Sequence, residues 1–272
     1  PAIRPSESRL HRKHNMTKEW NPDLYRRFEA ERTRPAAELL ARIPPKAFAR
    51  VADLGCGPGN STALLHQAYP NAALTGVDTS AAMLEQAAVR VPSAQFIQAD
   101  FTDWQSDAPP DLLFANAALQ WAGNHADLLP RLVGQLAEGG VLAVQMPDNL
   151  EQPSHLLMAE TARLPQWQPQ MQAMKNRRPL AETEEYYDIL TAASCSVDIW
   201  RTTYYHIMPD AEAVVHWFRA TGLRPFLNRL TEAEQAAFCA DYLEKLRTAY
   251  PQQADGNVLL AFPRLFFVAE KK

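Results

Sequence analysis

Short apolar runs alternate with amphipathic stretches along the first half of the chain. Such runs are typical of strands buried in a parallel sheet, and the stretches between them are typical of helices. The strands are predicted at residues 51–54, 73–78, 94–101, 111–116 and 140–146. Because these units follow one another within about 100 residues, the pattern predicts a doubly wound, mostly parallel α/β sheet.

The pattern changes after residue 150. Residues 151–180 are rich in Pro, Gln and Met and have no regular period. Beyond them the sequence predicts a helix over 183–193, a long strand over 197–206, a strongly helical stretch over 211–250 and a last strand over 265–270. Two helical insertions near the ligand edge of the sheet are therefore predicted to form a substrate lid.

These patterns divide the chain into six segments. They are 1–15, a flexible extension or tag remnant; 16–150, an α/β core with N-terminal cap helices; 151–180, a helical insertion; 181–207, a core helix and strand; 208–257, a helical lid insertion; and 258–272, the final core strand. The first segment is basic and has no apolar stretch, so it is not a secretory signal, and Met16 is the predicted natural start. Residues 21–40 are typical of one or two short helices, with Pro35 in a first turn.

A glycine-rich turn is predicted between the first strand and the next helix, where three of the ten glycines fall within residues 55–59. Glycine permits a tight turn and lets a nucleotide-like ligand approach the backbone closely. A dinucleotide fingerprint needs a glycine at position 60, where this chain has Asn60. Asp53 precedes the first glycine and completes the order D-x-G-x-G-x-G. A dinucleotide site and a purely structural turn both stay open at this point.

Acidic residues end the next two predicted strands. Asp78 lies about 20 residues beyond the glycine turn, where a carboxylate can accept both hydroxyls of a ribose. Asp100 ends the third run and is followed by the aromatic Phe101. Each acid taken alone could instead cap a helix. Together with Asp53, they predict a ligand site, because ligands bind at the carboxyl ends of parallel strands.

Composition and charge exclude several classes of function. A net charge of −4 and a pI near 6.0 give no general attraction to nucleic acid. No run approaches the roughly 18 apolar residues of a membrane span. The three cysteines are scattered without metal-ligand spacing, which predicts a reduced, cytoplasmic protein without disulfides or zinc. Cys56, inside the glycine turn, is predicted to fill space rather than to act as a nucleophile.

The motif formed by Asp53 and the glycines resembles motif I of class I S-adenosylmethionine (SAM) methyltransferases, in which the turn receives the amino-acid end of SAM. Later stretches resemble one family of that superfamily, the trans-aconitate 2-methyltransferases. The stretches that carry the resemblance are residues 20–25, 51–62, 114–121, 143–149, 200–206, 221–225 and 260–265. The resemblance extends from about residue 20 to residue 270, and only the first 15 residues clearly depart from it.

The resemblance implies a Rossmann-like sheet whose last strand is antiparallel. It also implies transfer of a methyl group from SAM to one carboxylate of trans-aconitate, which yields a monomethyl ester and S-adenosylhomocysteine. Asp78 is then expected on the ribose, and Asp100 with Phe101 beside the adenine. The predicted cofactor-binding residues are Tyr25, Asp53, Gly55, Gly57, Asp78, Met83, Asp100, Phe101 and Asn116. The predicted partner is a small tricarboxylate, and the predicted state is a monomer or a weak dimer.

The chemistry of carboxylate methylation predicts a site without a strong base, because a carboxylic acid with a pKa near 4 is already ionised at neutral pH. Neither a catalytic base nor a metal is predicted, and His125 is interpreted as a polar helix-start residue. Arginine suits the remaining carboxylates because its planar fork matches them. The arginine candidates are Arg177, Arg178, Arg201, Arg224 and Arg264. A solvated surface position is the alternative for each of them.

Arg264 is the first choice because apolar residues surround it in the sequence. Alternate residues of the strand 204–206 are expected to point away from the site. The predicted substrate-binding residues are Trp121, Arg201, Tyr205, His206, Arg224 and Arg264.

Three other functions stay open on sequence. A malonyl-carrier-protein or fatty-acid carboxyl methyltransferase would have the same cofactor-binding half and a different lid. An apolar lid without arginine would favour a fatty acid as the substrate. An NAD-dependent dehydrogenase is disfavoured by Asn60 and by the acid and aromatic pair at 100–101. A SAM-binding protein without catalytic activity would bind SAM and fail every turnover assay.

Overall fold

A computed structural model describes residues 22–172, 174, 177–219 and 221–272, with side chains of the first helix described from residue 31 onward, residue 32 excepted. The predicted extension 1–15 and the predicted start at Met16 lie outside these residues. The strands are β1 (Arg50–Leu54), β2 (Ala73–Asp78), β3 (Gln95–Gln98), β4 (Leu112–Asn116), β5 (Val141–Pro147), β6 (Cys195–Met208) and β7 (Val258–Lys271). In the described part of the chain they form one sheet in the order β3-β2-β1-β4-β5-β7-β6.

The sheet is mostly parallel. Strands β3, β2, β1, β4 and β5 pair in parallel, whereas β7 runs antiparallel to β5 and to β6. The prediction of a mostly parallel sheet with an antiparallel last strand is thus confirmed. Strands β6 and β7 each contain 14 residues and pair along their whole length, so both are longer than the apolar runs predicted.

Ten α-helices lie in the described residues. They are α1 (Pro22–Ala41), α2 (Asn60–Ala68), α3 (Ala81–Arg90), α4 (His125–Gln135), α5 (Pro153–Ala162), α6 (Gln168–Met171), α7 (Thr183–Ala192), α8 (Ala211–Arg219), α9 (Arg224–Leu227) and α10 (Glu232–Ala249). Helix α1 continues through Pro35, which the sequence placed in a first turn. Proline removes one helical hydrogen bond, but Ala36 and Leu39 are buried in the core immediately after it, and this packing stabilises the second half of the helix.

The stretch 211–250 is interrupted, although the sequence predicted it as strongly helical throughout. Gly222 separates α8 from α9, and Pro225 stands in the first turn of α9. Thr231 then starts α10 with a capping box, since its hydroxyl accepts from the Glu234 amide and the Glu234 carboxylate accepts from the Thr231 amide. Helix α10 packs against α5 and α8, so the two inserted segments form one helical layer.

Apolar side chains cover both faces of the sheet. Phe114 packs with residues of α1 and α2 on one face, and its neighbour Leu113 packs with residues of α4 and α7 on the other. This leaves the carboxyl ends of the parallel strands accessible to the helical layer. Over the described residues, the chain has no helix that is both long and apolar enough to cross a membrane.

Candidate active site

The glycine turn connects β1 to α2 and is pinned to β2. The amides of Gly55 and Cys56 both donate to the carbonyl of Val77, at 2.8 and 3.0 Å. Gly55, Gly57 and Gly59 have φ angles of +68°, +53° and +84°, a region that L-residues seldom adopt. A Cβ added at Gly55 would lie 2.4 Å from the Cβ of Ala118, so only glycine fits there.

Asp53 stabilises this turn from the protein interior. Its side chain is fully buried, and one carboxylate oxygen accepts from the hydroxyls of Ser61 and Thr62 at 2.8 and 2.6 Å. Burial raises the pKa of Asp53 from its ordinary value of 3.8 to about 6. Asp53 is not part of the cavity wall described below. The carboxylate fixes the first turn of α2 from the interior, and its predicted contact with the cofactor stays a prediction.

Asp78, at the end of β2, joins the turn to the next helix. One oxygen accepts from the Gly57 amide and the other from the Ser80 amide, both at 2.9 Å. Each oxygen keeps a second lone pair for a ligand. The alternative role as a helix cap falls to Ser80, whose hydroxyl accepts from the Met83 amide at the start of α3.

The Asp100 and Phe101 pair lies beside Asp78. The amide of Ala99 donates to the carbonyl of Asp78 at 3.1 Å, which brings the ends of β2 and β3 together. Asp100 is exposed and accepts from the amide and hydroxyl of Thr102, at 2.8 and 2.7 Å. The ring of Phe101 lies 3.9 Å from a Cβ built at Gly55. The Asp78 carboxylate and the Phe101 ring thus adjoin the glycine turn, with Asp100 next to Phe101 in the chain, and their assignment to ribose and adenine stays a prediction.

A cavity of about 870 Å³ opens at the carboxyl ends of β1, β4 and β5. This volume lies in the range of small-molecule sites. The floor contains the glycine turn, Asn116 and Pro147, and the roof contains residues of α1, α5, α8 and α9. Apolar side chains, among them Trp217 and Phe262, form much of the wall, and Trp121 is exposed at 57% of its surface.

Three amide side chains in the cavity wall have buried oxygens without hydrogen-bond partners among the described residues. They are Asn60, Asn116 and Gln120. The amide nitrogen of Gln120 donates to the carbonyl of Ala117 at 2.6 Å, which fixes its oxygen in place. Buried polar atoms are nearly always satisfied in native proteins. These acceptors beside the glycine turn therefore suit a ligand that carries N–H donors.

The charged side chains in the described cavity wall are three arginines, Arg177, Arg224 and Arg264, and the wall contains no Asp, Glu or Lys there. Arg264 is only 4% exposed, lies over the ring of Phe262 at 4.6 Å and donates to the Gln145 side chain at 3.1 Å. A wall with cations and no acid attracts an anion.

Arg177 is held by the loop after β5. Its Nη2 donates to the side-chain oxygen of Asn149 at 2.9 Å and lies 3.4 Å from the carbonyl of Pro147. Its Nε is buried and has no hydrogen-bond partner in the part of the chain that the structure describes. Burial lowers the pKa of Arg177 to about 10, which leaves it charged at neutral pH. The unsatisfied Nε is suited to a ligand carboxylate.

His155 adds a neutral polar group to the same wall. Burial, with a smaller contribution from the charge of Arg177, lowers the pKa of His155 to about 3. Its ring packs edge-on against Phe218 with centroids 5.0 Å apart. At neutral pH the imidazole is uncharged and offers one donor and one acceptor.

A family model for a methyltransferase domain matches residues 51–140 of the chain. The trans-aconitate 2-methyltransferases of Shigella dysenteriae serotype 1 and Shigella flexneri are each 54% identical to it over 253 residues, which is 93% of this chain and 98% of each relative. The chain belongs to the trans-aconitate 2-methyltransferase family. The family predicted from the sequence is thereby confirmed.

Solved structures support the fold of this trans-aconitate 2-methyltransferase family member. A SAM-dependent methyltransferase from Thiobacillus denitrificans in complex with S-adenosyl-L-homocysteine aligns with a TM-score of 0.53 and 19% identity, covering 96% of this chain and 95% of that one. Phosphoethanolamine N-methyltransferase 2 of Haemonchus contortus in complex with S-adenosyl-L-methionine aligns with a TM-score of 0.53 and 18% identity, covering 88% of this chain and 52% of that one.

The cavity of this family member contains three of the six predicted substrate residues, Trp121, Arg224 and Arg264. Of the predicted cofactor residues, Gly55, Gly57 and Asn116 line it, whereas Asp78, Met83, Asp100 and Phe101 lie outside its described wall. The side chain of Tyr25 lies outside the described part of the chain.

The other three predicted substrate residues lie outside the described cavity wall, and their contact with a substrate stays a prediction. Tyr205 is 64% exposed on the face of β6 opposite its buried neighbours. His206 is buried, but its Nδ1 lies 3.0 Å from Glu31 on α1 and it is not part of the cavity wall. Arg201 is ion-paired with Asp148 and donates to the hydroxyl of Thr183 at 2.9 Å, again outside the wall.

Sequence reasoning did not select Arg177, Gln120, Asn149 or His155 for the site. Arg177 was a candidate, but nothing in its local sequence distinguished it from Arg178. Gln120 and Asn149 stand a few residues beyond β4 and β5, where strand-end position could have indicated them. No signal of this kind exists for His155, which reaches the cavity only because α5 folds over the sheet.

The raised pKa of Asp53 predicts a specific dependence of stability on pH. A carboxyl whose pKa is raised on folding stabilises the folded state below its unfolded pKa of about 4, and this contribution is lost as pH rises through about 6. Relative to an Asp53→Asn variant, the wild-type free energy of unfolding should fall by on the order of 3 kcal/mol over that interval. Urea unfolding at several pH values measures it, and parallel pH curves for the two proteins would contradict it.

Proposed function

We propose that this protein transfers the methyl group of SAM to one carboxylate of trans-aconitate, giving the monomethyl ester and S-adenosylhomocysteine. The observation that carries the proposal is a cavity beside the glycine turn whose described wall holds three arginines and no acid. Trans-aconitate has three carboxylates, and arginine is the side chain best matched to them. The activity for which the 54% identical relatives are named supports the same substrate.

The residues around the glycine turn fit SAM as the cofactor. The unsatisfied buried oxygens of Asn60, Asn116 and Gln120 suit its ammonium group. A Cβ added at Gly57 would meet no atom within 4 Å, so this glycine preserves open space at the cavity wall. Asp78 would hold the ribose. When bound, SAM supplies a methyl group on a positively charged sulfur.

The arginines position the acid in this scheme. Two of its carboxylates would be held by planar forks, which fixes the third relative to the glycine turn. The rings of Trp217, Phe218 and Phe262 exclude water from the reacting carboxylate and so remove the hydration that weakens it as a nucleophile. An oxygen of that carboxylate forms the new bond to the methyl carbon as the bond from carbon to sulfur breaks. No proton is taken up or released.

The reaction requires no general base, and this predicts a flat pH profile. His155, with its pKa lowered to about 3, stays neutral, and Arg177, with a pKa of about 10, stays charged. We expect kcat/KM for trans-aconitate to vary less than about twofold between roughly pH 6.5 and 8.5, since the substrate carboxylates are ionised throughout. A bell-shaped profile with an apparent pKa near 7 would indicate a catalytic base.

Turnover with a panel of acids tests the proposal. The purified protein is incubated with SAM and either trans-aconitate, cis-aconitate, citrate, isocitrate or a long-chain fatty acid, and S-adenosylhomocysteine is measured. Trans-aconitate should give the highest kcat/KM, and NMR of the product identifies the methylated carboxylate. A preference for the fatty acid, or SAM binding by calorimetry without turnover of any acid, would contradict the proposal.

We propose small organic acids as the substrates of this protein and the cytoplasm as its location. Cys56, Cys195 and Cys239 are free thiols, which is the usual state in a reducing compartment. Among the described residues there is no group of three or more His, Cys, Asp or Glu side chains that could hold a metal ion.

A further inference from the structure

The end of β5 presents alternate residues to opposite sides of the sheet. Pro147 and Asn149 line the cavity and together hold the guanidinium of Arg177. Asp148 lies between them, is absent from the cavity wall, and donates its backbone amide to the carbonyl of Pro263 at 2.9 Å. A carboxylate is thus adjacent in sequence to both groups that hold a cavity arginine. Its charge needs a partner elsewhere.

That partner is Arg201 on β6, which is ion-paired with Asp148. In the register of β6 and β7, Arg201 stands opposite Leu265, whereas Thr202 stands opposite Arg264. Side chains alternate along strands, so Arg201 and Arg264 lie on opposite faces of the sheet. Two further donations, to the Thr183 hydroxyl at 2.9 Å and the Ala181 carbonyl at 3.4 Å, fix the guanidinium in this position.

An unneutralised Asp148 would act against binding of an anion. Its negative charge would lower the positive potential at Arg177. Asp148 is only 23% exposed, so water screens this charge incompletely. Asp148 is also the acidic residue closest in sequence to Pro147 and Asn149.

We propose that Arg201 is a positioning residue that neutralises Asp148 on the outer face of the sheet, so that this negative charge does not lower the positive potential that Arg177 offers to the substrate. The inference rests on the proposed function, since it requires an anionic substrate, but it assigns Arg201 a role without contact to that substrate. It also gives a reason why Arg201 lies outside the cavity although it belongs to the stretch 200–206, which carries the family resemblance.

A double-mutant cycle tests the proposal in the full-length protein. Arg201→Gln should raise KM for trans-aconitate about tenfold and leave kcat within about twofold, while the SAM dissociation constant is unchanged. Adding Asp148→Asn should return KM to within about threefold of wild type, because the unneutralised negative charge is gone. Asp148→Asn alone should not raise KM, and Arg201→Lys, which keeps the cation, should stay within about threefold of wild type.

Matched controls separate this role from the alternatives. Arg42→Gln removes a comparable exposed ion pair with Asp198 on the same strand and should leave KM unchanged. If the double variant is as impaired as Arg201→Gln, or if Arg201→Gln has wild-type KM, the proposal is wrong. Rescue by Asp148→Asn would exclude direct substrate contact by Arg201. Absence of wild-type turnover of trans-aconitate would overturn the proposed function and this inference with it, which distinguishes that failure from the first two.

Discussion

Replacement of Arg264 by methionine is expected to lower kcat/KM for trans-aconitate by about 100- to 1000-fold. Arg264 is 4% exposed and lies in the cavity wall, so a substrate carboxylate that loses its guanidinium would be buried without that partner. Loss of one member of a buried charge pair costs roughly 2 to 5 kcal/mol, and about 1.4 kcal/mol corresponds to a factor of ten. Steady-state kinetics with both substrates measure the change.

Controls show whether the loss is specific to the acid. The SAM dissociation constant of Arg264→Met should change less than about threefold, because Arg264 lies on β7, away from the glycine turn in the sheet order. Arg264→Lys keeps the charge without the planar fork and should be intermediate. Arg247→Met, on the exposed side of α10, should behave as wild type. A parallel loss of SAM binding in Arg264→Met would indicate a structural role instead.

Gly55→Ala is expected to weaken SAM binding by more than about 100-fold. The added Cβ would lie 2.4 Å from the Cβ of Ala118, and the φ of +68° would be strained for alanine. The turn must therefore move away from the short helix at Leu119–Trp121, which carries Gln120. The left-handed conformation costs roughly 1 to 2 kcal/mol, and the steric overlap adds to it. Calorimetric titration with SAM measures the loss.

A compensating change makes this prediction sharper. Ala118→Gly removes the atom that the new Cβ meets, so Gly55→Ala with Ala118→Gly should recover part of the lost SAM affinity. The remaining deficit reflects φ strain alone. Gly123→Ala is the matched control, since its added Cβ meets no atom within 4 Å and it should bind SAM normally. A double variant no better than Gly55→Ala would mean that overlap with Ala118 is not the cause.

The cofactor half of the fold could be predicted closely because its signals are local. Apolar runs give buried strands, and the spacing from the glycines to Asp78 follows from one strand, turn and helix unit. The exception within this half is Asp53. A carboxylate at the end of a strand can face either the ligand or the interior, and the hydroxyls of Ser61 and Thr62 on α2 hold it inside.

The substrate half was less predictable because its geometry depends on pairing between distant segments. Arg201 and Arg264 are both arginines in long strands, and only the register of β6 against β7 places one outside the cavity and the other within it. Shifting β6 by a single residue against β7 would place Arg201 on the same face as Arg264. The same limit applies to Tyr205 and His206. The sequence predicts that neighbouring residues of a strand face opposite sides of the sheet, but it does not show which side is buried.

The three cavity arginines stand at positions 177, 224 and 264, whereas the methyltransferase domain model matches only residues 51–140. Under the proposed function, recognition of the methyl donor and recognition of the acid would therefore depend on separate parts of the sequence. A homologue that matches residues 51–140 alone would then have the methyl-donor site without the acid site. Transfer of the activity to such a homologue would require arginines at the three equivalent positions, and engineering of a new acceptor could begin there while the donor half is left untouched.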